Sequence, residues 1–301
     1  MFVFRQRLQR LDVMRYGTAF VVVMVAVTLS SLNGLFIRSL SDMTDWQMVF
    51  WRHFLIGCTL CLGLVIYYRL RVIEIFLRLG IVGFAGAAVF GLSTSLLTLA
   101  LHKAPIADVM LVLAAVPLLT ALLAWIFLRE AIQWVTWVAM IGAIVGIAVM
   151  VVGSLGGGTI VGTILSIAAA VMVAIMAVIL RWGQKLDMIP MFALGGLIAA
   201  AIALPFSFEK LAVPANELPA LLLWSVLISP VYYTLFVIAS RYIQAAELML
   251  AVLVETIEAA LLAWIVLSEV PSKNSIVGGV IVIIAVGYLV LVRVNQQSKS
   301  R

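Results

Sequence analysis

Residues 100–130 read ALHKAPIADVMLVLAAVPLLTALLAWIFLRE, and residues 239–269 read ASRYIQAAELMLAVLVETIEAALLAWIVLSE. The two align without a gap. Ala121 through Ile126 recur as Ala260 through Ile265, and Leu128 and Glu130 recur as Leu267 and Glu269. Asp108 is matched by the acidic Glu247, and Met110-Leu111 by Met249-Leu250. An apolar segment written twice, once in each half, speaks of architecture built by duplication. In membrane chains such repeats mark many secondary transporters, whose site lies between the halves.

Composition names the solvent. Of 301 residues 65% are apolar and 11% charged, with a mean hydropathy of +1.25. Soluble domains run at about 45–50% apolar and about a quarter charged. A water-soluble core of this size would leave too many apolar side chains uncovered. The chain is integral to a membrane.

A helix crosses a bilayer with roughly 20 apolar residues. Broken at its charges and turn residues, the chain yields ten spans: 16–38, 45–68, 77–100, 105–128, 132–152, 160–181, 189–208, 218–240, 244–267 and 274–293. Only 209–217 reads as a real loop. Lysine and arginine stay on the cytoplasmic side. With the N-terminus inside, fourteen of them lie inside, among them Arg69, Arg71, Arg78, Arg129, Arg181 and Arg293, while Arg38, Lys103, Lys210 and Lys273 lie outside and Arg52 falls within a span. The net charge of +6 is therefore a topology signal, with no need of a nucleic-acid partner. The basic start, MFVFRQRLQRLDVMRYG, lacks a cleavage site and reads as a retained cytoplasmic arm beside anionic lipid.

Five spans per half means that the second half enters from the opposite side. The predicted fold is all-α and integral to the membrane: ten transmembrane helices as two inverted five-helix repeats, residues 1–155 and 156–301. Arg129, inside, becomes Ser268, outside, while the following glutamate is kept. Gly142 and Gly146 have small-residue spacing that permits close helix approach or self-association, so a monomer and a homodimer both fit. Cys58 and Cys61, within one span, predict buried thiols and no disulfide framework.

Ionisable groups at membrane depth are expensive and usually functional. Glu255 sits near the middle of the ninth span with Glu258 one turn on, sharing a face. The first repeat has Val116 and Leu119 at those positions. Glu258 lies at a depth similar to that of Arg52, about 13 Å against about 10 Å from the outer end, so an ion pair with Arg52 or His53 is one reading. Glu255 could accept a substrate ammonium group or carry a proton. His53 reads as a hydrogen-bonded packing residue or a proton carrier. Asn33, Ser93 and Thr94 could line a cavity, although helical Ser and Thr also bond back to their own carbonyls. Tyr232 and Tyr233 offer a ring and a hydroxyl at cavity depth, with one of the two facing packing. His102, at a span end, is expected to meet water.

Taken together, the ten short spans, the duplicated unit and the phrase Pro117-Leu-Leu-Thr-Ala-Leu-Leu-Ala-Trp through Leu128-Arg129-Glu130, echoed at Glu255, Ala259–Trp264 and Leu267-Ser268-Glu269, resemble the drug/metabolite transporter superfamily, EamA type, whose relatives include YddG-like amino-acid exporters. Ser30-Ser31-Leu32-Asn33 ahead of Ile37-Arg38, and Arg52, also resemble family features. Departures are Thr256, where the family usually carries proline, and Met172, Ala114 and Val116, where YddG-like members place large rings. The resemblance implies an inner-membrane secondary transporter of amino acids or related metabolites, by alternating access, with Met172 lining the cavity, proton coupling as one driving force, and no cofactor or metal. Nucleotide sugars, purines and drugs are alternative cargoes.

The rival from another class is an intramembrane serine protease, since Gly91-Leu-Ser93-Thr94 fits a loose GxSx pattern. No companion histidine motif accompanies it. No acidic cluster suits a metal-bound lipid pyrophosphate, and no filter loop suggests a channel.

Overall fold

The computed structural model describes residues 16–128, 134–154, 160–182, 188–240, 242, 245–270 and 272–299. Among these the secondary structure is helical throughout. Seven helical stretches are long and apolar enough to cross a membrane, from Thr18–Ser39 to Leu218–Ala239, and three shorter apolar ones lie in the fifth, ninth and tenth expected spans. Large apolar side chains such as Ile66, Ile81, Ile141, Ile164 and Ile265 point outward from the bundle, as a lipid-facing surface requires.

The first repeat comprises α1 (Tyr16–Ser31), α2 (Asn33–Ser39), α3 (Asp45–Tyr68), α4 (Val72–Arg78), α5 (Gly80–Lys103), α6 (Ile106–Leu113), α7 (Val116–Leu128) and α8 (Trp134–Ser154). The second comprises α9 (Ile160–Trp182), α10 (Ile189–Ser207), α11 (Leu218–Leu222), α12 (Ser229–Ser240), α13 (Ala245–Leu267) and α14 (Lys273–Lys299). A 3₁₀ turn at Arg69–Arg71 and the exposed α4 separate α3 from α5, so the third helix begins at Gly80 rather than at 77. Gly80 itself has φ +56°, a backbone that glycine adopts without a Cβ penalty.

Three of the spans are interrupted, each for a readable reason. The first bends at Leu32, just after Ser31, whose hydroxyl bonds the Thr28 carbonyl at 2.8 Å; such back-bonds bend helices. The fourth breaks at Ala114-Ala115, because Pro117 cannot donate to the preceding turn and sits comfortably only near a helix start. Thr256 occupies the equivalent place in α13, and that helix runs unbroken from Ala245 to Leu267. The eighth widens into a π segment, Leu223–Ile228, between α11 and α12. Pro230, which has no N–H, follows directly.

Helix pairing is symmetric. Helix α3 packs on α10, and α8 on α14. The contact of α1 with α12 is matched by that of α9 with α5, and the contact of α1 with α13 by that of α9 with α7. Exchanging the two halves maps this pattern onto itself. Close approach relies on small residues: a Cβ on Gly196 would lie 2.9 Å from the His53 carbonyl, and one on Gly146 would lie 2.6 Å from the Gly278 carbonyl. The Gly142–Gly146 motif is thus consumed within the chain, against α14. Cys58 is exposed on the bundle surface and Cys61 half-buried, both as free thiols, which corrects the expectation that both are buried.

Candidate functional site

The helix α3 starts with a capping box, in which the Thr44 side chain accepts from the Gln47 N–H and the Gln47 side chain accepts from the Thr44 N–H. Two turns further on stands Arg52, only 3% exposed. Its Nη1 donates to Thr98 Oγ1 at 2.7 Å, and the Thr98 hydroxyl passes its own proton to the Thr94 carbonyl at 2.8 Å. Its Nη2 reaches Asn33 Oδ1 at 3.4 Å. The guanidinium carbon lies 4.3 Å from the centre of the Trp224 ring, an attraction that strengthens out of water. Trp224 is fully buried on the π segment, and its Nε1 donates to the same Asn33 oxygen at 2.7 Å. Among the described residues Arg52 Nε has no hydrogen-bond partner and Arg52 forms no ion pair.

The negative end of the site is Glu255. Its Oε1 accepts from Ser30 Oγ at 2.5 Å, and Asn33 Nδ2 donates to that Ser30 oxygen at 3.1 Å. Ser30 and Asn33 therefore bridge a buried cation and a carboxylate across the bend in the first span. The direction of every bond along the bridge agrees, with Asn33 taking protons at its oxygen and giving one from its nitrogen. Tyr232 stands within electrostatic reach of Ser30 and Glu255 and packs its ring on Tyr233, centroids 4.8 Å apart. Tyr233 belongs to the aromatic packing, 5.0 Å from Phe90 and 5.1 Å from Phe192.

Asn33, Glu255 and Tyr232, predicted separately, thus come together. Arg52 and Glu258 do not. Glu258 Oε1 accepts from Thr28 Oγ1 at 3.2 Å and its Oε2 is buried with no partner among the described residues, while Arg52 is turned toward Thr98, Asn33 and Trp224. Similar depth put the two charges level, but depth says nothing of azimuth around the bundle. His53 is fully buried, its Nδ1 on the Val49 carbonyl at 2.7 Å and its Nε2 3.5 Å from Arg52 Nη1; that places the ring proton on Nδ1 and makes His53 a packing partner of its own helix. Ser93 and Thr94 spend their hydroxyls on the Phe90 carbonyl of α5 at 2.9 and 3.0 Å, the second of the two readings they allow. Met172 is half-buried on α9, outside the Arg52–Glu255 bridge. Trp224 and Thr98 were missed. A tryptophan within a span instead of at its interfacial end was the available signal for the first.

One end of the bundle is tied shut. Arg38 Nε pairs with Glu269 Oε1 at 2.5 Å, and Arg38 Nη2 donates to the Ala104 carbonyl at 2.9 Å. Glu269 Oε2 accepts from the Ile106 N–H at 3.0 Å. Asp45 pairs with Lys103 at 2.5 Å and with His102, so His102 is engaged with a carboxylate rather than with water alone. The connection after α10 folds over the same end, its Leu211 and Ala212 carbonyls accepting from Trp51 Nε1 at 2.8 Å and Gln47 Nε2 at 2.6 Å. Arg129, Glu130 and the N-terminal arm lie outside the described residues.

The family model of the EamA-like transporter family matches residues 17–152 and again 160–291. The chain belongs to the EamA-like transporter family. The two matches fall on the two repeats, and a membership of this kind makes the molecule a membrane transporter of small solutes. One solved structure, titled only as the crystal structure of a protein, aligns with a TM-score of 0.65 at 16% identity, covering 91% of this chain and 96% of its own. At that identity the likeness shows the fold alone. No curated protein gives a significant sequence match. The Arg52–Glu255 bridge joins side chains of the two repeats beside interrupted helices.

Proposed function

We propose that this EamA-like transporter exports amino acids or related small metabolites across the bacterial inner membrane, by alternating access of two inverted five-helix halves, with both termini in the cytoplasm. The observation that carries this reading is Glu255: a carboxylate at mid-span whose hydrogen-bond partner is a neutral hydroxyl. Such a group suits a substrate ammonium. The exchange symmetry of the helix pairs supports inversion, and the end closed by Arg38 and Glu269 supports a molecule caught with one side shut. The split of Lys and Arg supports the placement of the termini, and the two repeats support a count of ten spans.

Purified full-length protein in proteoliposomes, offered labelled amino acids with and without a pH gradient, tests the reading directly. Uptake of a subset of them is expected. Glu255→Gln should fold normally and lose most of that uptake, since a charge-assisted hydrogen bond is worth about 1.5–3 kcal/mol. A folded Glu255→Gln protein with unchanged uptake would remove Glu255 from the site.

A further inference from the structure

Arg52 carries a charge that has no counter-ion among the described residues. Taking a guanidinium out of water costs several kcal/mol unless a counter-charge and a full set of acceptors compensate. Here the acceptors are all neutral, Thr98, the Tyr233 hydroxyl and longer contacts to Asn33 and His53 Nε2, a tryptophan face covers one side, and the buried Nε has no hydrogen-bond partner among the described residues. The edge formed by Nε and Nη2 is the fork that receives a carboxylate with two parallel bonds. Half of that fork rests on the Asn33 amide oxygen, and the other half has no hydrogen-bond partner among the described residues.

The other end of the bridge has the complementary form. Ser30 donates a proton to Glu255, as an ammonium would, and Asn33 offers an oxygen to Arg52, as a carboxylate would. Each charged group is held by a neutral side chain of the right hydrogen-bonding sense. Only two short side chains separate them, which suits a ligand that carries both charged groups on one carbon.

We propose that Arg52 is the receptor for the substrate carboxylate, that Glu255 receives the ammonium of the same molecule, and that Ser30 and Asn33 are stand-ins displaced on binding. The class of ligand is the α-amino acid zwitterion. This rests on the amino-acid reading above and sharpens it, because Glu255 alone would accept any amine. Trp224 holds the guanidinium and the Asn33 oxygen in place, so that Nη2 faces the bridge.

Proteoliposome uptake of three isosteric probes separates the possibilities: L-leucine, isoamylamine, which lacks the carboxylate, and 4-methylpentanoate, which lacks the ammonium. L-phenylalanine, 2-phenylethylamine and 3-phenylpropionate form a second set for a larger side chain. Wild-type protein should prefer the zwitterion over either half-molecule by about 10- to 100-fold, the worth of one charge-assisted contact. Arg52→Gln should collapse the ratio of amino acid to amine toward one, and Glu255→Gln the ratio of amino acid to deaminated acid. Arg52→Lys, which keeps the charge but loses the fork, should fall between. Wild-type preference needs no variant to fold, and equal uptake of amine and zwitterion overturns the proposal. So does an Arg52→Gln protein that lowers both equally, which would leave amino-acid transport standing with Arg52 as a structural group. Absence of uptake for every amino acid would instead sink the broader reading, and this proposal with it.

Discussion

At the scale of single residues, the site is an exercise in satisfying charges with neutral neighbours. Asn33 is the hinge of it, because its oxygen serves Arg52 and Trp224 while its nitrogen serves Ser30. Trp224→Phe keeps a ring face over the guanidinium but removes the indole N–H, leaving the Asn33 oxygen with only the longer Arg52 contact. The expected cost is about 1 kcal/mol in stability, read as a lowered midpoint of thermal unfolding in detergent, and Trp224→Ala should cost about 3–5 kcal/mol more typical of a large buried aromatic. Equal losses for both variants would show that the N–H bond is immaterial. The sequence exposed the ionisable members of this site because charges stand out against an apolar background. It could not expose the partnership, since span depth alone does not distinguish an Arg52 turned to Glu258 from one turned to Asn33 or the lipid. Thr98 was hidden for a related reason: a hydroxyl in a helix normally satisfies itself on its own carbonyls, as Ser93, Thr94 and Ser95 do.

At the scale of elements, the duplicated phrase was legible almost to the residue, and its departures explain where the halves differ. Pro117 interrupts the fourth span, whereas Thr256 lets α13 continue, so one half is broken where the other is straight. The π segment at Leu223–Ile228 was not legible, because hydrophobic periodicity does not separate a widened turn from an α turn and the nearby Pro219 and Pro230 only mark that something gives. Ser268 shows a finer signal. It has φ +56°, a left-handed backbone that costs a residue with a Cβ about 1–2 kcal/mol, and it turns the chain so that the Glu269 N–H bonds the Ala263 carbonyl at 3.2 Å. Glycine is the residue this backbone favours. Ser268→Gly should therefore stabilise the protein by about 0.5–1 kcal/mol, the relief of strain less the added freedom of the unfolded chain. A shift of the unfolding midpoint in the other direction would mean that the Ser268 side chain contributes more than its backbone costs.

At the scale of the whole molecule, the question is what the closed end holds back. Arg38, Glu269 and the Ala104–Ile106 backbone join the ends of α2 and α13 to the turn between α5 and α6, and beneath them lies packing in which Val109 is fully buried. Half-exposed ion pairs contribute little to global stability, yet this one joins elements drawn from both repeats, which is where a small difference biases a two-state equilibrium. In the orientation proposed above, this end lies outside the cell. A single reporter tests closure and orientation together: Val109→Cys in a background with Cys58 and Cys61 replaced by serine, probed with a membrane-impermeant thiol reagent. With the latch intact the cysteine should react slowly from either face. Adding Glu269→Gln removes the ionic half of the Arg38 contact and weakens the hold on Ile106, and the rate should rise several-fold in intact cells but not in inverted vesicles. A rise confined to inverted vesicles would reverse the orientation and put both termini outside. No rise on either side would mean that Glu269 fastens a helix end without guarding the path to Arg52.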